Sequence, residues 1–301
     1  MTAEIRLLVL AVLVASSGCG RDESGGSDGD AGSDGDADAD GDADSDSDAD
    51  ADGDGDADDR PVFRIHVRST TAAVEHADAW SGQTPRAYAS GYRKYSMLRD
   101  AEDPDPLVVF DHGDGWVEAG YGDGEDTVVG TAVAAELTAG RYTIGRTVMS
   151  HVRWVVDTTL HYEGNPIPGE LDNLQILSDR TTIDGETHDQ GWYRYVFRAG
   201  GLEVPAEGEG APLGAQSPTS GIGIEALEGE TVFTFPIDIE VVPQTPVDVD
   251  MVFEVNNHEC FRWEDQGGVD YAPGVFDSDT TASEPVRQFG GNSFAVYMDP
   301  L

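Results

Sequence analysis

Residues 231–255 read TVFTFPIDIEVVPQTPVDVDMVFEV, and two runs of strict alternation in them carry the clearest structural signal in the chain. Phe233, Phe235, Ile237, Ile239 and Val241 fall on one side of an extended backbone. Val247, Val249, Met251, Phe253 and Val255 repeat the pattern beyond Pro243 and Pro246. Successive side chains of a strand point to opposite faces, so a period of two marks a strand with one buried face. The proline-bounded turn between the runs predicts that they pair as an antiparallel hairpin.

Working outward, residues 62–68 alternate Phe63, Ile65 and Val67 against Arg64, His66 and Arg68. Residues 107–110, 115–119, 127–134, 141–157, 158–162, 174–177, 192–198 and 293–298 also read as strands, separated by Gly and Asp turns. Residues 86–99, with Tyr88, Tyr92 and Tyr95, suit either a short helix or a strand. Residues 199–220 are rich in Gly, Pro, Ala, Glu and Ser without periodicity and read as a long loop or linker. Short strands at close spacing with no long amphipathic stretch predict an all-β body at residues 60–301. The expected architecture is an antiparallel β-sandwich, prealbumin-like or immunoglobulin-like, as one domain in preference to two subdomains split near residue 205.

Charge excludes several roles. The chain of 301 residues carries 59 acidic and 17 basic side chains, a formal charge of -42. Residues 1–59 hold 19 of the acids and 2 of the Arg residues, which leaves the body at -25. Nucleic-acid binding draws on Lys and Arg that displace counterions from phosphates, so such a surface argues against it. From Asp34 to Asp58 an Asp stands at every second position, spaced by Ala, Gly or Ser. With no large apolar side chain to offset the entropy of ordering, residues 20–59 are expected to be a disordered acidic tether. Neighbouring carboxylates ~7 Å apart lie within the ~8 Å Debye length and stretch it.

The first 19 residues, MTAEIRLLVLAVLVASSGC, place Arg6 before an apolar run from Leu7 to Ala15, then Ser16, Ser17, Gly18 and Cys19. That run is far short of the ~20 residues of a membrane-spanning helix and reads as a signal segment. The segment resembles the signal peptides of bacterial lipoproteins, in which small residues precede a cysteine that becomes the lipidated first residue. The resemblance implies a thioether-linked diacylglycerol on Cys19, a membrane attached through that lipid, and a place in the cell envelope. With Gly20 after the cysteine it implies the outer membrane, on its periplasmic or its outer side. If Cys19 carries lipid, Cys260 has no partner in the chain and is expected to be buried and inert. Residues 137–148, LTAGRYTIGRTV, are similar to the turn and strand of prealbumin-like β-sandwich modules in bacterial lipoproteins, which agrees with the fold and implies no site.

Candidate sites are few. Asp48, Asp50, Asp52 and Gly53, with Asp59 at the twelfth position, follow the opening of a calcium loop, though an alternating Asp tract makes that pattern by itself. Asp111, His112, Asp114, Asp123 and Asp126 crowd one loop and form the best cation candidate in the body. Trp263, Asp265 and Tyr271 sit in the irregular stretch 261–289, where aromatic faces beside carboxylates suit a glycan. Gly221, Gly223 and Ala226 make a nominal dinucleotide fingerprint without the strand and helix it needs, and Ser293 in GNSFA lacks a later histidine. These readings favour a non-catalytic binding or structural lipoprotein whose ligand is a glycan, an envelope protein or a divalent cation such as calcium. The alternative is an exported metal-dependent hydrolase with dispersed ligands.

Overall fold

The computed structural model describes residues 60–210, 221–266, 271–279 and 283–300. The signal segment, Cys19 and the calcium-like Asp48, Asp50, Asp52 and Asp59 lie outside the described residues. The fold is all-β, and no α-helix occurs among the described residues.

Strand β1 (Val62–Thr70) lies in a four-stranded sheet between β6 (Asp126–Val133) and β15 (Val249–Asn256), with β19 (Ser293–Pro300) outside β15. β1 and β15 run parallel, Ile65 opposite Met251 and Val67 opposite Phe253. The alternation in β1 works as its sequence demands: Phe63, Ile65 and Val67 are buried, and the charged residues between them stay outside. There Arg64 pairs with Asp248 and Asp250, and Arg68 with Asp126 at 2.8 Å.

The second, ten-stranded sheet is built on β7 (Gly140–Tyr162). At ~3.3 Å per residue this strand is ~75 Å long, too long to remain straight under the natural twist of a sheet. One edge of β7 takes β3 (Ala87–Leu98), which continues to β4 (Leu107–Asp111) and β5 (Val117–Gly120). The other edge is shared: β14 (Glu230–Val241) lies along residues 140–149, and β8 (Asn165–Ile176) along residues 151–162. β11 (Tyr193–Ala199) and β12 (Leu202–Gly208) extend β8, β13 (Gly223–Leu227) extends β14, and β17 (Asp277–Asp279) runs parallel to the end of β7. A three-stranded sheet of β2 (Ser81–Gln83), β16 (Phe261–Trp263) and β18 (Val286–Gln288), and a hairpin of β9 (Thr181–Ile183) and β10 (Glu186–His188), complete the body.

The splice between β14 and β8 falls on a β-bulge. Gly91 pairs with His151 and Tyr92 with Met149, so Ser150 is an extra residue on β7. Its carbonyl accepts the N–H groups of Leu177 at 2.8 Å and Ser178 at 3.2 Å, where β8 ends and the neighbouring strand changes. A second bulge sits beside it on β3, where Arg93 is extra between the pairs Tyr92 to Met149 and Lys94 to Val148. The Arg93 guanidinium is buried on carbonyl and hydroxyl oxygens, those of Asp179 at 2.9 Å and Thr181 Oγ1 at 3.1 Å among them.

Two expectations need correction. β14 and β15 are strands, but they do not form a hairpin: β14 pairs with β7 and β13, and β15 with β1 and β19. Their apolar faces meet across the core instead, with the Phe235 and Phe253 rings 4.8 Å apart. Alternation specifies which face is buried and not which edge is paired, and a connection containing Pro243 and Pro246 carries the chain from one sheet to the other. The stretch 199–220 is not all loop. Gly200 and Gly201, at φ 52° and 84°, make a two-residue hairpin turn, after which Leu202, Val204 and Ala206 pair with β11. Residues 86–99, open between helix and strand, form β3.

The main core lies between the two large sheets. Ile65, Val67, Met251 and Phe253 from one face Tyr92, Tyr95, Phe235 and Ile237 from the other. Phe235 lies flat over Gly145, where a Cβ would stand 2.4 Å from its ring, so that position demands glycine. A second cluster gathers Trp154, Phe261, Trp263, Phe276 and Phe289.

On β8, Asp172 is buried and accepts hydrogen bonds from Arg198 at 2.7 Å and Arg153 at 3.2 Å. Burial pushes its carboxyl up, but the two guanidinium groups outweigh burial and hold it below the ordinary carboxylate value. A depressed carboxyl stabilises the fold above its unfolded value, and that contribution is lost as pH falls through the lower folded value. Asp172→Asn is therefore expected to cost about 1–3 kcal/mol at neutral pH. Urea midpoints of variant and wild type should converge as pH falls through the lowered folded value of Asp172, and a gap unchanged by acid would remove the ionic explanation.

Candidate functional site

The sequence candidates occupy separate places. Trp263 has 1% exposure, with its ring against Phe261 and Phe276, and leaves no face for a stacked sugar. Its Nε1–H donates to Asp265 at 3.1 Å, and Asp265 also accepts from Ser81 Oγ at 2.5 Å. Tyr271 lies over the His161 ring at 4.7 Å. The loop acids of residues 111–126 go to different protein partners: Asp111 to Lys94, Asp114 to Arg180, Asp123 to the Thr71 N–H, and Asp126 to His66 and Arg68. Among the described residues, no three His, Cys, Asp or Glu side chains converge on one point. Cys260 has 0% exposure, and burial pushes its thiol up to about 12. Gly223 and Ala226 lie in strand β13, and Ser293 opens β19.

The bulge at Ser150 creates a hydrogen-bonded string that the sequence did not announce. Ser150 Oγ–H donates to His151 Nδ1 at 3.0 Å, and Nε2–H donates to Glu118 Oε2 at 3.2 Å. Burial pushes the His151 ring down despite the Glu118 carboxylate, so it is held neutral. The chemistry resembles a nucleophile, base and acid in line, but Ser150 and His151 both have 0% exposure. A serine sealed this way has no space for a substrate carbonyl, and the string orients the imidazole.

Near the end of β7, His161 Nε2–H donates to Asp277 at 2.8 Å. Asp277 Oδ2 accepts the Ala272 N–H, and Glu284 accepts the N–H groups of Asp277 and Gln266. Burial pushes the Glu284 carboxyl up. Both carboxylates are occupied in fastening this loop to the sheet.

What remains open is the space between the sheets, a cavity of about 100 Å³. The small sheet contributes Ile65, Val67, Met251 and Phe253, and the large one Tyr92, Tyr95, Met149 and Phe235. Gly290, Gly291 and the exposed Ser293 form its rim, so it reaches the surface there. At Gly291 a Cβ would stand 2.3 Å from Val255, so the segment leading into β19 lies close on β15. No charged side chain lines the cavity among the described residues.

Both bulges set this lining. On an unbroken strand, residues three apart point to opposite faces. The extra Arg93 turns Tyr92 and Tyr95 to the same side, opposite Met149 and Thr147. The extra Ser150 does the same on β7, letting Val152 continue the lining begun by Thr147 and Met149. Cavities that take small molecules are mostly apolar with a few placed polar groups, and this one has that character.

Compared with protein-family models, curated proteins and solved structures, the chain matches none.

Proposed function

We propose that this chain is an exported lipoprotein, anchored to the cell envelope through lipid on Cys19, whose body is a β-sandwich that binds a small apolar molecule between its sheets without transforming it. The observation that carries the binding role is the open-rimmed apolar cavity between the four-stranded and ten-stranded sheets. The lipobox-like MTAEIRLLVLAVLVASSGC supports the anchor, and the alternating Asp tract supports a stalk that lifts the body from the membrane. Burying apolar ligand surface gains about 25 cal/mol per Å², enough for millimolar to micromolar affinity in a compound of this size.

The test is one preparation with two readouts. Full-length protein produced with labelled palmitate is expected to retain the label, and Cys19→Ser to lose it. The same protein with saturating cyclopentane is expected to melt about 2 °C or more higher, because a ligand that binds only the folded state stabilises it. An unlabelled wild type would overturn the anchor, and an unchanged melting temperature would overturn the cavity.

A further inference from the structure

Resting on that reading, we infer that the cavity selects a compact neutral carbonyl compound, whose oxygen accepts a hydrogen bond from the Tyr95 hydroxyl. Tyr95 is 3% exposed and its ring is stacked at 6.3 Å from both Phe110 and Phe235, which fixes where its hydroxyl points. That hydroxyl's partner is the Met251 thioether at 3.8 Å. A thioether is a weak acceptor, and a buried O–H left on one has most of its hydrogen-bonding capacity unspent. A carbonyl oxygen in the cavity takes that hydrogen in place of sulfur.

A cluster of hydroxyls in the lining points the same way. Tyr92 and Tyr121 hydroxyl oxygens stand 2.6 Å apart, and Ser90 also bonds to Tyr121. Three hydroxyls joined by two bonds use two hydrogens and leave a third. Around the tyrosines the cavity therefore offers hydrogens in excess of acceptors, which favours an accepting ligand there, while the Gln288 amide, whose N–H donates to Asn292 at 3.1 Å, brings a carbonyl oxygen to the same lining. An anion is disfavoured because no basic side chain lines the space among the described residues. Burial pushes the Tyr92, Tyr95 and Tyr121 hydroxyls up, so all three keep their protons. Size sets an upper bound: about 100 Å³ is below the ~150 Å³ of an engineered cavity that takes benzene, so the ligand is no larger than a small ring or short acyl segment.

Cyclopentanone and cyclopentane are a matched pair of nearly equal shape, one with the oxygen and one without. Their affinities for the full-length protein are measured by titration calorimetry. Tyr95→Phe is expected to weaken cyclopentanone about threefold to tenfold, the worth of one net hydrogen bond, and to leave cyclopentane unchanged. Met251→Leu keeps the volume and removes the competing sulfur, so it is expected to tighten cyclopentanone or leave it unaltered. If both compounds bind and Tyr95→Phe changes neither or both equally, the carbonyl assignment fails while the cavity remains a binding site. If cyclopentanone weakens in Met251→Leu, the assignment of the tyrosine as donor also fails. If neither compound binds the wild type, the binding reading fails with it.

Discussion

Trp263→Ala is expected to be the most damaging single truncation in the body, lowering stability by about 3–5 kcal/mol. The indole is among the largest fully buried side chains, at 1% exposure, and lies against Phe261 and Phe276 in the cluster that fastens the small β2, β16 and β18 sheet onto the end of β7. Removing it leaves a hole and an Asp265 carboxylate without its indole donor. For a body of this length the loss corresponds to about 10 °C in the thermal midpoint, readable by calorimetry on the full chain. A change of less than about 2 °C would mean that the ring is a surface group and would restore it as a stacking platform for glycan.

The second large effect is asymmetric. Arg262 is 2% exposed, its Nη2 pairs with Asp78 and donates to the Trp80 carbonyl at 3.0 Å, and Glu259 stands 3.9 Å away. Asp78→Asn leaves a buried guanidinium without its closest counter-charge. Breaking a buried pair in this way costs ~3–5 kcal/mol, and because Asp78 is 31% exposed about 2–4 kcal/mol is expected. Arg262→Met removes the buried charge and leaves Asp78 to water, for an expected cost of about 1 kcal/mol or less. The double variant should then be more stable than Asp78→Asn alone. Equal costs for the two single changes, measured by urea unfolding, would show that burial of the guanidinium is not what makes the pair costly to break.

The strands with one clean buried face were readable because nothing interrupts their period. Phe63, Ile65 and Val67 in β1, and the apolar runs of β14 and β15, announced themselves. Residues 86–99 resisted for an identifiable reason. Tyr88, Tyr92 and Tyr95 stand at i, i+4 and i+7, the spacing of a helix face, because the extra Arg93 breaks the period of two. β12 was hidden by its composition, though Gly200 and Gly201 were a hairpin signal and Leu202, Val204 and Ala206 did alternate. β8 begins among Pro166, Pro168 and Gly169, residues that argue against a strand until its partner on β7 is known. The cavity was not legible. Ile65, Tyr95 and Met251 are far apart in the chain, and it is the pairing of β1 with β15 and of β3 with β7 that brings them to one space.

The parallel pairing of β1 with β15 sets the order in which this molecule is completed. The two strands meet across 186 positions of sequence, and β19 must still follow to cover β15. A chain emerging from the ribosome cannot close that sheet until β15 and β19 have been synthesised. Contacts so distant in sequence put β-rich domains among the slow folders, on the scale of milliseconds to seconds. For the export proposed above, that late closure keeps the four-stranded sheet unfinished while the chain is threaded through a membrane.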